Sequence, residues 1–182
     1  MEQRWQADMH ARVADGIKRA RGARSAQWLA DRTSELGSPI TRAQIANYES
    51  GRKKSLDIAE LVVIAAALDV PAITLLYPDL PDADVEVLPG QHVSSIVAML
   101  RFSGELDRTP TSDLGRLAML SRRRFQRQIH HQAAVAFLDK LAEENPEEFT
   151  ADRVLSVADE LDELREVNRQ IREIPGAVVD DA

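Results

Sequence analysis

The sequence predicts an all-α fold in two helical parts, and three observations support this prediction. Apolar residues recur three and four positions apart along most of the chain, which is the spacing of an amphipathic helix. Residues that suit helix N-caps alternate with glycines that suit helix ends. A segment rich in proline and acid, residues 79–91, separates residues 1–78 from residues 92–182. We interpret this segment as a linker with one short strand.

Five short helices are predicted in the first part, at residues 8–23, 26–36, 42–50, 58–68 and 72–77. Ser25 is a suitable N-cap for the second of them. Thr41 and Gln44 have the spacing of a capping box, and so do Asp57 and Glu60. The helix at 58–68 is apolar on nearly every side, so we expect it to be buried.

The second part is predicted to hold helices at residues 92–104, at 112–144 and after Thr150, followed by a frayed tail at 175–182. In the last helix the apolar core positions fall on Val154, Val157, Leu161, Leu164 and Ile171, with the polar Asn168 among them. This spacing fits a hairpin with the preceding helix or a coiled coil between two chains. The short turn at 145–148 favours the hairpin, with self-association through the apolar surface that stays exposed.

The net charge of −7 is unevenly distributed along the chain. Residues 1–60 hold 11 Lys and Arg against 8 Asp and Glu, whereas residues 61–182 hold 12 against 22. Because a local basic surface is what binds phosphate, the overall acidity does not exclude a nucleic-acid partner.

Composition excludes several classes of protein and site. The chain has no Cys, which rules out disulfides, thiolate zinc sites and cysteine nucleophiles. Its first residues are polar, and its longest apolar run, Leu61–Leu68, is far shorter than the ~20 residues that span a bilayer. We therefore expect a cytoplasmic, nucleoid-associated protein with no membrane partner.

The helix at 42–50 carries the chemistry of base recognition. Ile45 and Tyr48 are spaced to face inward. The residues expected to face outward and read base edges are Arg42, Ala43, Gln44 and Asn47. Arg suits guanine, Gln and Asn suit adenine, and Ala can contact a thymine methyl group. The alternative is a plain solvated helix face, which the basic segment that follows makes less favoured.

That basic segment begins just past the helix. Gly51 permits a sharp exit of the backbone, and Arg52, Lys53 and Lys54 follow it. Successive cations beside a base-reading helix suit the phosphate backbone. The segment is therefore predicted to position the helix on a duplex.

Residues 10–78 resemble the helix-turn-helix domain of the Cro/cI (XRE) family of transcriptional regulators, in the longer form common in actinobacteria and their phages. The resemblance rests on TRAQIANYESGRKK at residues 41–54 and on AELVVIAAALDVPAITLLYP downstream. It implies a lambda-repressor-like fold of five helices, the third of which enters the major groove of DNA.

The resemblance also implies roles for individual residues. The base-facing positions of the family fall on Arg42, Ala43, Gln44 and Asn47. The phosphate-facing positions of the family fall on Ser50, Arg52, Lys53 and Lys54. We also expect phosphate contacts from Ser25, Gln27 and Thr41. Glu49 falls where the family keeps an acid that ties the reading helix to its scaffold. The chain departs from the family at Ala26, where a Gln is usual.

A second group of cations, in the helix at 112–144, consists of Arg122, Arg123, Arg124 and Arg127. This group is a candidate for a second DNA contact, and the alternative is pairing with acids at 159–163 of the last helix. His130 and His131 lack a second ligand pair at suitable spacing, so no metal is expected. The chain carries none of the common nucleotide-binding or hydrolase motifs, so neither a cofactor nor an enzymatic activity is expected.

The function expected from these features is that of a sequence-specific repressor that occupies an operator in double-stranded DNA. A homodimer joined through its C-terminal helices would read two half-sites about one helical turn (~34 Å) apart. A phage immunity repressor, which maintains lysogeny, is the leading role, with a host regulator as the alternative. The second class is an antitoxin that binds its partner through the C-terminal half and represses its own promoter.

Overall fold

The computed structural model describes residues 2–53, 55–107 and 109–180. It is mostly helical with one small two-stranded sheet, which confirms the largely helical class. The chain divides into two compact units, Met1–Ser103 and Gly104–Ala182. Lys54, one of the expected phosphate contacts, lies outside the described residues. Within those residues, no helix combines the length and apolar character needed to cross a membrane.

The first unit consists of α1 (Glu2–Arg21), α2 (Ala26–Glu35), α3 (Arg42–Glu49), α4 (Ile58–Leu68), α5 (Ala72–Leu76), β1 (Asp84–Leu88), β2 (Gln91–Ser94) and α6 (Ser95–Phe102). The five helices predicted before residue 78 are all present. The largest difference is that α1 begins at Glu2 rather than at Asp8. Helix starts without a strong capping residue are difficult to locate from sequence.

Capping residues account for where α2, α3 and α4 begin. At the start of α2, the Ser25 hydroxyl accepts a hydrogen bond of 3.0 Å from a backbone N–H of the first turn. Both predicted capping boxes form, with Thr41 and Gln44 on α3 and Asp57 and Glu60 on α4. These contacts satisfy donors that a helix start otherwise leaves unpaired.

Side chains from all five helices α1 to α5 form the core of the first unit. Its most deeply buried large side chains are Ile17, Leu29, Ile45 and Ile64, each at most 1% exposed. Ile45 comes from α3 and faces the core as its spacing predicted. Burial of side chains from four different helices in one cluster fixes how these helices pack.

Buried Thr33 holds the connection between α2 and α3. Its hydroxyl donates to the Ala30 carbonyl at 2.8 Å and accepts the Ile40 backbone N–H at 3.0 Å. Ile40 is itself buried. The chain entering α3 is therefore held against α2, which sets the point where α3 begins.

Helix α4 is only partly buried, contrary to the prediction. Ile64 and Leu68 lie in the core, but Ile58 and Val62 are 79% and 54% exposed. The neighbours of α4 are α1, α2 and α5. They leave an apolar side of the helix uncovered, so an apolar sequence did not ensure burial on every side.

Residues 79–103 belong to the first unit, which corrects the predicted linker and the boundary expected at residue 92. The segment forms an antiparallel hairpin of β1 and β2 followed by α6, rather than a linker with a single strand. Val85 and Ala98 are buried in a cluster with Tyr77, which follows α5. Apolar burial, which the proline-rich pattern concealed, attaches this segment to the preceding helices.

Polar contacts also attach the hairpin to α1. Arg12 Nε donates to the Leu76 carbonyl at 2.9 Å. Arg12 Nη1 and Trp5 Nε1 donate to the Glu86 carbonyl of β1 at 3.5 and 3.4 Å. The hairpin is thus bound to α1 by side-chain donors as well as by its apolar cluster.

The second unit is a helical hairpin of α7 (Asp113–Glu144) and α8 (Ala151–Arg172), joined by a 3-10 turn at Pro146–Glu148. Helix α8 packs along α7, which confirms the predicted hairpin. The buried side chains of its core are Leu120, Val167, Ile171 and Ile174. This core is small for a unit of this length.

The second unit differs from the prediction in two details. Val154, assigned to a core position of the last helix, is 42% exposed within the hairpin, whereas Val167, which was not assigned to one, is 1% exposed. The tail is not frayed over its described residues, because Ile174 is buried and Ala177 and Val179 pack beside it. The two helices alone leave part of the hairpin core exposed. Apolar residues of the tail cover it, and this burial of apolar surface is favourable.

Candidate nucleic-acid interface

Helix α3 is held on one side and open on the other. Ile45 and Tyr48 are 0% and 4% exposed and pack in the core. Of the four residues expected to read bases, Arg42 and Ala43 are exposed, and Gln44 and Asn47 are half-buried. Packing in the core therefore fixes the direction in which the exposed side of α3 faces.

Arg42 and Asn47 have the side chains most available for recognition. Within the part of the chain that the structure describes, neither side chain has a hydrogen-bond or ion-pair partner. Arg42 lies in the first turn of α3, and Asn47 lies on the next. A guanidinium offers a fork of donors and an amide offers a donor beside an acceptor, which are the groups that purine edges match.

Gln44 and Thr41 use their side chains to cap α3. Gln44 Oε1 accepts the Thr41 backbone N–H at 2.9 Å and the Thr41 hydroxyl at 2.8 Å. Two-point recognition of adenine needs both the oxygen and the nitrogen of the Gln amide. Because the oxygen is engaged, Gln44 presents N–H donors alone, which suit guanine or thymine acceptors. The Thr41 hydroxyl proton is likewise engaged, which argues against its expected phosphate contact.

Ser25 and Gln27 are the two expected phosphate contacts at the start of α2, and each keeps a hydrogen-bond donor. The Ser25 hydroxyl acts as an acceptor in its cap, so its own proton can still be donated. Gln27 Nε2 donates to Asp31 Oδ1 at 2.8 Å, which occupies one of its two N–H bonds. Both side chains are exposed. Since phosphate oxygens accept hydrogen bonds, Ser25 and Gln27 remain suited to a phosphate.

Among the described residues of the segment after α3, Arg52 is the cation open to solvent. Gly51 adopts a φ of 70°, a left-handed conformation that glycine accepts without a steric penalty. Arg52 follows it, exposed and without a partner among the described residues. The Ser50 hydroxyl donates to the Asn47 carbonyl at 3.3 Å. Arg52 is thus the described residue of this segment whose charge is open to a phosphate.

Lys53 is engaged within the protein, which argues against its expected phosphate contact. Its Nζ lies 2.9 and 3.1 Å from the two carboxylate oxygens of Glu60. It also lies 4.4 Å from the centre of the Tyr48 ring, and the Tyr48 hydroxyl contacts both charged groups. We refer to these three residues as the Tyr48–Lys53–Glu60 triad. The sequence did not reveal it because Glu60 lies in the next helix.

The triad joins the end of α3 to the start of α4. Glu60 also accepts the Asp57 backbone N–H at 3.1 Å in the capping box of α4. Burial raises the pKa of Glu60, but the hydrogen bonds from its three partners outweigh burial and hold this pKa below its ordinary value. The carboxylate is therefore ionised at neutral pH and neutralises Lys53.

Glu49 ties α3 to α1, in the role that the family resemblance implied. Arg21 Nε and Nη2 lie 2.6 and 2.7 Å from the two carboxylate oxygens of Glu49, in a two-point pair. The two side chains are 14% and 11% exposed. Hydrogen bonding to Glu49 raises the pKa of Arg21, so the guanidinium stays charged. Arg21 was not predicted as the partner because no local pattern links the two positions.

The arginine group of α7 is engaged within the second unit. Arg127 pairs with Glu163, Arg122 lies 4.0 Å from Glu105, and Arg124 donates to the Asp180 carbonyl at 2.6 Å. Arg123 lines a shallow depression with acids of α8 that include Asp159 and Glu166. These contacts favour the alternative interpretation, in which the group stabilises the hairpin, over a second DNA contact.

Comparison with known proteins gave no match: no family model, no curated protein and no solved structure matches the chain. The resemblance to Cro/cI regulators therefore depends on the motif residues alone. The geometry of α3 and its surroundings is the basis for a functional interpretation.

Proposed function

We propose that this chain binds double-stranded DNA in a sequence-specific manner and represses transcription from an operator. The observation that carries the proposal is the arrangement of α3. Buried Ile45 and Tyr48 fix the helix, while Arg42 and Asn47 project from its open side without partners among the described residues. Polar side chains on a rigid helix are what recognition in the major groove requires.

Helices α2 and α3 form the proposed helix-turn-helix, with α3 as the reading helix. Thr33 holds the connecting loop, and Glu49 holds the far end of α3. In such an arrangement the first helix crosses the DNA backbone and the second enters the groove. Ser25 and Gln27 would then meet phosphates at the start of α2, and Arg52 would meet them beyond the end of α3.

Repression follows from occupancy, because a protein seated in the groove at a promoter excludes the polymerase. The proposed setting is the cytoplasm, where the operator lies. A phage immunity repressor is the role we favour, and a host regulator is the alternative.

The proposal is tested with Arg42→Ala on a duplex that the full chain selects from random DNA. Loss of the guanidinium should cost about 1–3 kcal/mol of binding free energy at one base pair and relax selectivity there. Fluorescence anisotropy with duplexes changed at single positions measures both effects. Arg101→Ala removes an exposed arginine from α6 and is the matched control. An equal loss for Arg42→Ala on every duplex would contradict base reading.

A further inference from the structure

An apolar stripe runs along α7 on the side opposite α8. It consists of Leu114, Ala118, Phe125, Ile129 and Ala136, and we call it the outer stripe. Successive helical residues are about 100° apart, which puts the outer stripe roughly half a turn from Leu120 and Leu141 on the buried side. Leu114, Phe125 and Ile129 are 80%, 63% and 48% exposed.

Burial of the outer stripe would stabilise the second unit. Its own core is small, and a two-helix unit buries little of the surface that its unfolded chain exposes. Single exposed apolar residues are ordinary, but large ones aligned along one helix face mark an interaction surface. The outer stripe is therefore suited to packing against a partner helix.

We infer that the outer stripe is a self-association surface, on which α7 of a second copy packs in the antiparallel direction. The spacing supports a helical partner. Phe125 follows Ala118 by seven positions, Ile129 follows by four, and Ala136 follows by seven more. Heptad spacing of this kind forms the seam between two packed helices.

The uneven distribution of charge along α7 supports a second copy as the partner and indicates its direction. Residues 113–128 hold five arginines and one aspartate, whereas residues 129–144 hold one lysine and three acids. The arginines are largely paired within the unit, whereas Asp139 and Glu143 have no partner among the described residues. Parallel copies would bring these unpaired acids together. Antiparallel copies separate them and place each beside the arginine-rich half of the second copy, under the two-fold symmetry of a self-complementary interface. The symmetry axis then passes close to Ile129, in the middle of α7.

This surface is independent of the proposed DNA binding, because pairing through α7 does not require α3 to read bases. It also differs from the seam that the sequence predicted, which runs through Val154 and Asn168 of α8. Failure of either proposal leaves the other standing, since mass is measured without DNA.

Sedimentation of the full chain without DNA, over a wide range of protein concentrations, tests the inference. We expect a dimer that Phe125→Glu and Ile129→Glu each weaken by roughly tenfold or more. The matched control is Phe137→Glu, which changes a residue 55% exposed on the same helix, about a third of a turn away from the stripe. Circular dichroism verifies that helix content is kept. A monomer at every concentration, or a dimer unaffected by both stripe variants, would overturn the inference.

Cross-linking tests the direction of pairing. The chain has no cysteine, so a single introduced thiol can form a disulfide only with the same position in a second copy. Ile129→Cys, near the proposed axis, should give a disulfide-linked dimer under mild oxidation, whereas Leu114→Cys should not. Strong cross-linking through Leu114→Cys and none through Ile129→Cys would refute the antiparallel arrangement.

Discussion

Gln44 and Lys53 show how neighbouring groups decide the role of a single residue. Both have side chains suited to DNA, yet the Gln44 oxygen caps α3 and the Lys53 ammonium binds Glu60. Arg42 and Arg52 have no such partners among the described residues and stay available. A sequence indicates which residues carry suitable chemistry, but it does not show a competing partner brought close by the fold.

Arg52 and its neighbour Lys53 form a matched pair for the phosphate contacts. Arg52→Ala should weaken binding to all duplexes alike and lower the slope of log affinity against log salt by about 1. Lys53→Ala should leave that slope unchanged, because its charge is neutralised by Glu60 within the protein. Anisotropy titrations at several salt concentrations measure the slopes. Equal losses for the two variants would show that Lys53 leaves the triad to contact phosphate.

Gln44→Glu separates capping from recognition. A carboxylate supplies the same oxygens to the cap, so the free energy of unfolding should change by less than about 0.5 kcal/mol. The amide donors are lost and a negative charge faces the DNA, so binding should weaken by about 1–3 kcal/mol. Denaturation and anisotropy measure the two quantities.

The control for this charge change is Gln91→Glu, at an exposed position on β2. It should leave binding nearly unchanged. If the two variants bind DNA equally well, Gln44 does not face the groove.

Glu60→Gln tests the charge of the triad through pH. The folded-state pKa of Glu60 is lowered, so its contribution to stability is present above the ordinary value of 4.5 and is lost as pH falls through the folded-state pKa. The wild type should therefore be more stable than Glu60→Gln at neutral pH, and the gap should close below pH 4.5. Urea denaturation at a series of pH values measures the gap. If this difference in stability stayed constant at acidic pH, the charge of Glu60 would not contribute to the stability of the triad.

At the scale of elements, capping chemistry explains what the sequence could predict. Ser25, Thr41 and Asp57 mark the starts of three helices because each cap is local, and its partner lies within three positions. The exposed side of α4 and the partners of Lys53 and Glu49 depend on packing between elements. No local pattern encodes such contacts, so those parts of the interface could not be predicted.

Thr33→Val tests the connection between α2 and α3. The change keeps the shape of the side chain but leaves the buried Ile40 N–H without an acceptor, which should cost about 1–3 kcal/mol of unfolding free energy. Both tryptophans, Trp5 and Trp28, lie in the first unit, so their fluorescence reports its unfolding. Ser34→Ala, at an exposed position of α2 whose side chain makes no hydrogen bond to the described residues, is the control in the same unit. A loss no larger than that of the control would show that the Thr33 contact does not hold the loop.

At the scale of the whole molecule, each unit was predicted in type but not in extent. The α7–α8 hairpin followed from two long helical patterns joined by a short turn. The boundary at Ser103 did not follow, because the hairpin of β1 and β2 and the helix α6 are held to the first unit by Tyr77, Val85 and Ala98. These three residues are far apart in sequence, and their burial is a property of the folded chain alone.

Selection of bound sequences from random duplex DNA by the full chain tests whether this protein reads base sequence through α3. If α3 reads bases, a defined sequence should be enriched, and Arg42→Ala should relax it at one position. If α7 also pairs two copies, that sequence should appear as an inverted repeat. Binding that enriches no sequence, or no binding at all, would contradict the proposed role of α3 as a reading helix.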